Sequence, residues 1–101
     1  MYGLTVVVVD GEESTRTRLI STLRRIGLRA LGVESTLDAV ALLDALDADV
    51  ALVHTDDSEE ALAPLRAKTA VVKLAREAPV DEVVVQLLRA LGRPEEAAEL
   101  N

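Results

Sequence analysis

Residues 5–57 read TVVVVDGEESTRTRLISTLRRIGLRALGVESTLDAVALLDALDADVALVHTDD, and this stretch decides the fold. The run Leu4 to Val9 starts one residue before this stretch. It is apolar, mostly β-branched and without polar alternation. Such a run is typical of a strand that is covered on both faces of a parallel sheet. Apolar residues then recur at helical spacing from Glu13 to Ile26, and Gly27 supplies a C-terminal stop. The stretch therefore opens with a buried strand and an amphipathic helix.

The same strand-and-helix unit follows a second time. Leu28 to Val33 predicts a short second strand, and Ser35 or Thr36 can cap the next helix. The apolar face of that helix is predicted to consist of Leu37, Val40, Leu43 and Leu46. Val50 to Val53 predicts a third strand, which His54 closes.

The C-terminal part continues the alternation. Ser58 is a good N-cap for a helix from Glu59 to Ala67, and Pro64 predicts that this helix is short, kinked or partly irregular. Ala70 to Leu74 predicts a fourth strand, and a last helix is predicted from Val80 to Leu91. The residues expected on the buried side of the last helix are Val80, Val83, Val84, Leu87, Leu88 and Leu91.

Four strands that alternate with four helices predict an α/β protein with an open, doubly wound, mostly parallel sheet. We expect one domain over residues 1–92, followed by an acidic tail or linker over residues 93–101. In such folds ligands bind beyond the carboxyl ends of the strands, where the winding direction reverses. The residues that follow the first, third and fourth strands are therefore the candidates for a site.

Composition limits the classes of function. The chain has 101 residues, a net charge of −7 and no cysteine, so disulfides and thiolate chemistry are excluded. Its longest apolar run, Val6 to Val9, is far shorter than the roughly 20 residues that span a bilayer. The negative charge disfavours direct contact with nucleic acid, which binds mainly through cationic side chains. We expect a soluble, cytoplasmic domain with no membrane contact.

Residues 5–57 resemble the first half of a response-regulator receiver domain, and REAPVDEVVVQLLRALG, residues 76–92, resembles its closing segment. The resemblance implies a flavodoxin-like fold. In receivers a phosphoryl group passes from a histidine kinase to an aspartate at the end of the third strand. Magnesium is held by an acidic pair after the first strand, and a hydroxyl residue and a lysine follow the fourth and fifth strands.

This sequence departs from the receiver pattern at four of its five chemical positions. Asp10 matches the first acid of the metal pair, but Gly11 takes the place of the second, and Glu12 or Glu13 would substitute only by reaching back. His54 takes the place of the phosphoacceptor aspartate. The remaining two departures are Leu74 or Ala75 at the switch hydroxyl and Ala78 at the lysine. The acidic remnant of the pocket is then Asp10, Gly11, Glu12 and Asp56.

These losses predict a degenerate receiver, or pseudo-receiver, that is not an enzyme and uses neither a metal nor a cofactor. Magnesium binds through carboxylate oxygens and water, so one aspartate with a glycine beside it gives weak binding at best, and an imidazole cannot form an acyl phosphate. The expected function is a phosphorylation-independent interaction or dimerisation domain of a bacterial signalling or transcription regulator. A C-terminal output domain is expected in a longer protein.

The length between the fourth strand and the last helix points to an interface. Only Ala75 to Pro79 intervene, so about 20 residues, one strand-and-helix unit of a receiver, are predicted to be missing. The fourth strand would then be an open edge or would fill the place of the fifth. We expect a homodimer, or a contact with another signalling protein, through Val72, Lys73, Val84 and Leu88.

Several alternatives stay open at this point. His54 is either a strand-end imidazole with a satisfied hydrogen bond or a phosphoacceptor, metal ligand or pH sensor. Asp56 and Asp57 either cap the following helix or, like Asp10, serve as a non-standard phosphoacceptor. Asp10 either keeps a cation or shapes its turn, and a small metabolite is a candidate for a cleft between Asp10 and His54. The arginines of the first helix, namely Arg16, Arg18, Arg24 and Arg25, form either a patch for an acidic partner or a solvated face.

Overall fold

The computed structural model describes residues 4–74 and the helix at residues 80–90. The elements are β1 (Thr5–Asp10), α1 (Glu13–Arg25), β2 (Arg29–Val33), α2 (Thr36–Ala45), β3 (Val50–His54), α3 (Glu59–Arg66), β4 (Ala70–Lys73) and α4 (Val80–Ala90). All eight predicted elements are thus confirmed, and their bounds agree with the predicted ones to within one residue at each end. The tail at residues 93–101 lies outside the described residues.

The four strands form one parallel sheet in the order β2-β1-β3-β4. Val6 to Val9 in β1 and Val50 to Val53 in β3 are completely buried, as expected for central strands with helices on both faces. The predicted α/β class with an open parallel sheet is confirmed. The fourth strand was predicted either to be an open edge or to fill the place of a fifth strand. In the part of the chain that the structure describes, β4 pairs only with β3 and is the edge strand next to it.

The helices divide between the two faces of the sheet. One apolar cluster joins α1 and α4 to the sheet through Leu19, Leu23, Val83 and Leu87, among others. A second cluster joins α2 and α3 to the other face. The chain moves from β1 outward to β2 and then back across to β3, so the winding direction reverses between β1 and β3. Any site at the switch point is therefore built from the carboxyl ends of these two strands.

Gly27 ends α1 as predicted. It has a φ of 95°, in the left-handed region that favours glycine. The amide of Gly27 donates to the carbonyl of Arg24, and the amide of Leu28 donates to the carbonyl of Leu23. These two bonds define a Schellman C-cap, and the two leucines pack in the same cluster. The turn thereby sets where β2 begins.

The start of α2 differs from the prediction in its buried face. Ser35 is the N-cap and accepts a hydrogen bond from the amide of Asp38. Thr36 and Ala39 are the buried residues of the helix, whereas Leu37 is 79% exposed, so its assignment to the apolar face was wrong. Because Ala39 is small, α2 can approach the sheet closely with Thr36 and Ala39 on its buried side. Leu37 follows Thr36 by one residue, which corresponds to a rotation of about 100° around the helix axis, and its side chain is therefore exposed.

The remaining helices follow the sequence signals. Ser58 caps α3 by accepting from the amide of Ala61, and the eight-residue helix is short, as Pro64 predicted. In α4, Val83 and Leu87 are buried as expected. The side chains of Val80, Val84 and Leu88, and all of Leu91, lie outside the described residues. None of the described helices is long and apolar enough to cross a bilayer.

Candidate functional site

The switch point of the sheet brings Asp10 and His54 together. They are the last residues of β1 and β3, and the parallel register places them side by side. Asp10 is only 3% exposed, and the side chain of His54 is 20% exposed. The two predicted site residues therefore form a part-buried pair at the edge of the sheet where doubly wound folds place their ligands.

A hydrogen bond of 2.9 Å joins Nδ1 of His54 to Oδ2 of Asp10. An ionised carboxylate can only accept, so Nδ1 is the nitrogen that carries the proton in this bond. Of the alternatives for His54, the imidazole with a satisfied hydrogen bond is the arrangement seen. Because the two side chains are in direct contact, there is no room between them for the small metabolite that was one of the alternatives for this site.

The other polar atoms of Asp10 are engaged as well. Its Oδ1 accepts from the amide of Glu12 at 2.8 Å, and its backbone carbonyl accepts from Nη1 of Arg16 at 2.8 Å. A side-chain oxygen bound to the amide two residues on is the geometry of an Asx-turn, so Asp10 shapes the β1–α1 turn. Both carboxylate oxygens therefore have partners within the chain.

The neighbouring acids do not complete a metal site. The carboxylate of Glu12 accepts from the hydroxyl of Ser14 at 2.8 Å and is exposed, so it does not reach back to Asp10. Gly11 adds no ligand, although a Cβ built there would meet nothing closer than the Glu34 carbonyl at 3.7 Å. Over residues 4–74 and 80–90, no three histidine, cysteine or acidic side chains converge on one point. Within these described ranges, the side chains beside Asp10 do not form the cluster of carboxylates in which receivers hold magnesium.

Asp57 connects the loop after β3 to its surroundings through hydrogen bonds. Its carboxylate accepts from the hydroxyl of Thr36 at 2.5 Å, its amide donates to the hydroxyl of Thr55, and its carbonyl accepts from Nζ of Lys73 at 3.0 Å. Ser58, rather than Asp57, caps α3, which corrects the predicted capping role of Asp57. Asp56 is exposed in the same loop. Asp57 thus links the starts of α2 and α3 to the end of β4.

The position expected for the switch hydroxyl holds a core residue. Leu74 donates its amide to the carbonyl of Val53 at 2.8 Å, and it is 6% exposed within the cluster that contains Val83 and Leu87. Ala78, at the predicted lysine position, lies outside the described residues. Of the predicted interface residues, Val72 is half-buried against the same cluster and Lys73 is exposed.

Sequence reasoning missed how Arg16 reaches the site. A Cβ on Gly32 would lie 2.5 Å from Cδ1 of Ile20 and 3.0 Å from the Cγ and Cδ of Arg16, so glycine in β2 lets α1 approach closely. The stem of Arg16 passes over this glycine before its guanidinium reaches the Asp10 carbonyl. An isolated glycine inside a strand pattern is the signal for such an approach.

A separate hollow of about 430 Å³ lies at the opposite, amino-terminal edge of the sheet. It is lined by Thr5, Arg24, Leu28, Arg29, Ala30, Leu31, Leu46 and Asp47. Since β1 and β2 begin at this edge, the hollow is one strand length away from Asp10 and His54. It is not part of the switch-point site.

Comparisons with known proteins establish the fold. No protein-family model and no curated protein match the sequence. A response regulator from Thermotoga maritima is similar in structure, with a TM-score of 0.63 and 19% identity over 96% of each chain. A response regulator receiver protein from Burkholderia phymatum matches with a TM-score of 0.56 and 18% identity, over 88% of this chain and 95% of its own. The chain therefore has the receiver fold, as the sequence resemblance implied. The predicted loss of one strand-and-helix unit stays a prediction.

Proposed function

We propose that this chain is a phosphorylation-independent, receiver-like interaction domain of a bacterial signalling or transcription regulator. The observation that carries the proposal is the 2.9 Å bond between His54 Nδ1 and Asp10 Oδ2. Asp10 is the one acid of the receiver metal pair that this chain keeps, and its carboxylate is bound to His54 at the position where receivers hold a cation. It also puts an imidazole where phosphoryl transfer needs a carboxylate.

The surroundings of the pair support the same conclusion. In receivers a hydroxyl after the fourth strand responds to the phosphoryl group, whereas Leu74 is an aliphatic residue buried in the core. Asp57, the acid that offered an alternative acceptor, has its carboxylate against Thr36. On this proposal, hydrogen bonds and apolar contacts within the chain take the place of the switch-point chemistry.

The experiment is incubation with a small acyl phosphate and magnesium, followed by intact-mass measurement. We expect no stable phosphoryl adduct on this protein, while a receiver with a complete acid pair and aspartate serves as the positive control. A matched variant, Gly11→Asp with His54→Asp, rebuilds three acids at the switch point. Thermal stability of the variant should rise with magnesium, and that of the natural protein should not. A stable adduct on the natural protein would refute the proposal.

The proposed partner is a second copy of the chain or another signalling protein, through the β4 edge and α4. The support is that β4 has no strand on its outer side in the described part of the chain, and an uncovered edge offers unpaired backbone groups. Val72, Lys73, Val84 and Leu88 are the proposed contacts. A C-terminal output domain beyond residue 92 belongs to the same proposal.

Because the sequence contains no cysteine, a single introduced thiol reports the edge contact. Ala70→Cys places it on the exposed start of β4, and Ala63→Cys places a control thiol on exposed α3. If β4 edges meet, mild oxidation should crosslink the first variant well before the second at equal concentration. Equal crosslinking, together with a monomeric molar mass by light scattering, would exclude the symmetric edge dimer.

A further inference from the structure

The charges of this chain are separated into blocks along the sequence. Residues 14–33 contain five arginines and no acid. Residues 34–60 contain nine acids and neither lysine nor arginine. The first block comprises most of α1 with β2, and the second comprises α2, β3 and the start of α3. Because α1 and α2 lie on opposite faces of the sheet, the exposed arginines of α1 and the exposed acids of α2 point in opposite directions. We call the α1 side of the domain the basic face and the α2 side the acidic face.

Two of the four arginines of α1 are available to a partner on this face. The guanidinium groups of Arg16 and Arg24 turn onto the backbone carbonyls of Asp10 and Ala30. Arg18 and Arg25 are exposed, and their guanidinium groups make no ion pair within residues 4–74 and 80–90. Seven residues separate them, about two helical turns, so both lie on one flank of α1. We call this pair the arginine flank.

On the acidic face, the start of α2 presents an apolar side chain with acids beside it. Leu37 is 79% exposed, and it stands out because no other large apolar residue in the described part of the chain is exposed. Asp38 and Glu34 lie next to it and are exposed. Ala41, one turn further along α2, is exposed on the same stripe and leaves room beside Leu37. We call Glu34, Leu37 and Asp38 the leucine patch.

We propose that the arginine flank of one copy of this chain docks on the leucine patch of a second copy. The two surfaces are complementary in charge, and Leu37 supplies an apolar anchor against the aliphatic stems of the arginines. Because the two surfaces differ and lie on opposite faces, the contact is head-to-tail and can add further copies. It involves neither β4 nor the Asp10–His54 pair, so it does not depend on the proposed function.

Ionic strength decides when this contact forms. Two copies with a net charge of −7 repel each other at long range. At about 0.1 M salt, screening over roughly 10 Å removes most of that repulsion and leaves the contacting pairs. At about 1 M salt, screening over roughly 3 Å weakens the contacting pairs as well. We expect association to be strongest at intermediate ionic strength.

A charge-swap experiment tests the contact. The first variant carries Arg18→Glu with Arg25→Glu, and the second carries Glu34→Arg with Asp38→Arg. All four sites are exposed, so circular dichroism should confirm that both variants fold. Fluorescence anisotropy with one labelled copy gives the affinity of each variant for itself and for the other. At about 0.1 M salt the mixed pair should bind roughly tenfold or more tightly than either variant binds itself, and the difference should vanish near 1 M.

The three pairings distinguish this contact from association driven by net charge and from association through β4. Net charge alone favours the second variant binding itself, since it is the least negative, and that ranking would overturn the proposal. Association through β4 gives no preference for the mixed pair, so a mixed pair whose affinity falls between those of the two self-pairings, as net charge alone would rank it, would also overturn the proposal. In the natural protein, Leu37→Ser should weaken self-association, and an unchanged affinity would contradict the anchoring role of Leu37.

Discussion

Removal of the imidazole of His54 should destabilise the protein by an amount that the local geometry sets. In His54→Ala, the carboxylate of Asp10 stays in a site where it is 3% exposed, and the amide of Glu12 is then its one remaining partner among the residues that the structure describes. Hydrogen bonds to charged groups contribute about 1.5–3 kcal/mol, and a buried acceptor that loses a partner costs a similar amount. Since the space left by the ring lets water reach Asp10, we expect a loss of about 2 kcal/mol in the free energy of unfolding.

Two further variants turn this estimate into a double-mutant cycle. Asp10→Ala removes the bonds to His54 and to the amide of Glu12, so it should cost about 3 kcal/mol. The double variant should cost less than the sum of the two single changes, by about 1–2 kcal/mol, because the pair is lost only once. His54→Asn keeps a donor close to the position of Nδ1 and should cost less than half as much as His54→Ala.

Urea unfolding followed by circular dichroism at neutral pH measures all four variants. The slope of the free energy against urea should stay constant, which shows that the changes act on stability rather than on compactness. Additivity of the two single variants within about 0.5 kcal/mol would refute a direct bond between Asp10 and His54. The same result would remove the observation on which the proposed function rests.

Three other changes follow from the fold and can be measured in the same urea experiment. Gly27→Ala forces a side chain into a left-handed conformation and should cost about 1–2 kcal/mol; no loss would contradict the φ of 95°. Ser58→Ala removes the N-cap of α3 and should cost about 1 kcal/mol, and a neutral result would mean that another group caps the helix. Leu65→Ala in the core should cost about 2–5 kcal/mol, whereas the exposed Leu37→Ala should stay within about 0.5 kcal/mol; equal losses would contradict the phase of α2.

Much of the fold was predictable because its signals are local. The valine run from Val6 to Val9 has no polar alternation, which suits only a strand covered on both faces. Gly27 and Ser58 mark the end of one helix and the start of another through hydrogen bonds that involve only neighbouring residues. The order of strands and helices then leaves few ways to wind a parallel sheet.

The features that sequence reasoning missed depend on contacts between distant residues. The hydrophobic pattern predicts that Asp10 and His54 lie at strand ends. Their hydrogen bond, however, depends on the register between β1 and β3, and the two residues are 44 positions apart in the sequence. The link between Thr36 and Asp57 likewise joins the first residue of α2 to the loop after β3. Leu37 was misplaced for a related reason, since hydrophobic spacing gives the period of a helix, while the packing of Ala39 against the sheet fixes its rotation.

The identity of the side chain at residue 54 changes how the switch point is stabilised. Where several carboxylates share such a pocket, their mutual repulsion destabilises it until a cation binds, so stability is coupled to metal and to phosphorylation. An imidazole that donates to Asp10 supplies the missing partner from within the chain and removes that coupling. On the proposed function, a signal cannot then enter through the switch point and must enter through a surface. The β4 edge and the arginine flank belong to different elements of the described fold, and each can be altered without touching the Asp10–His54 bond.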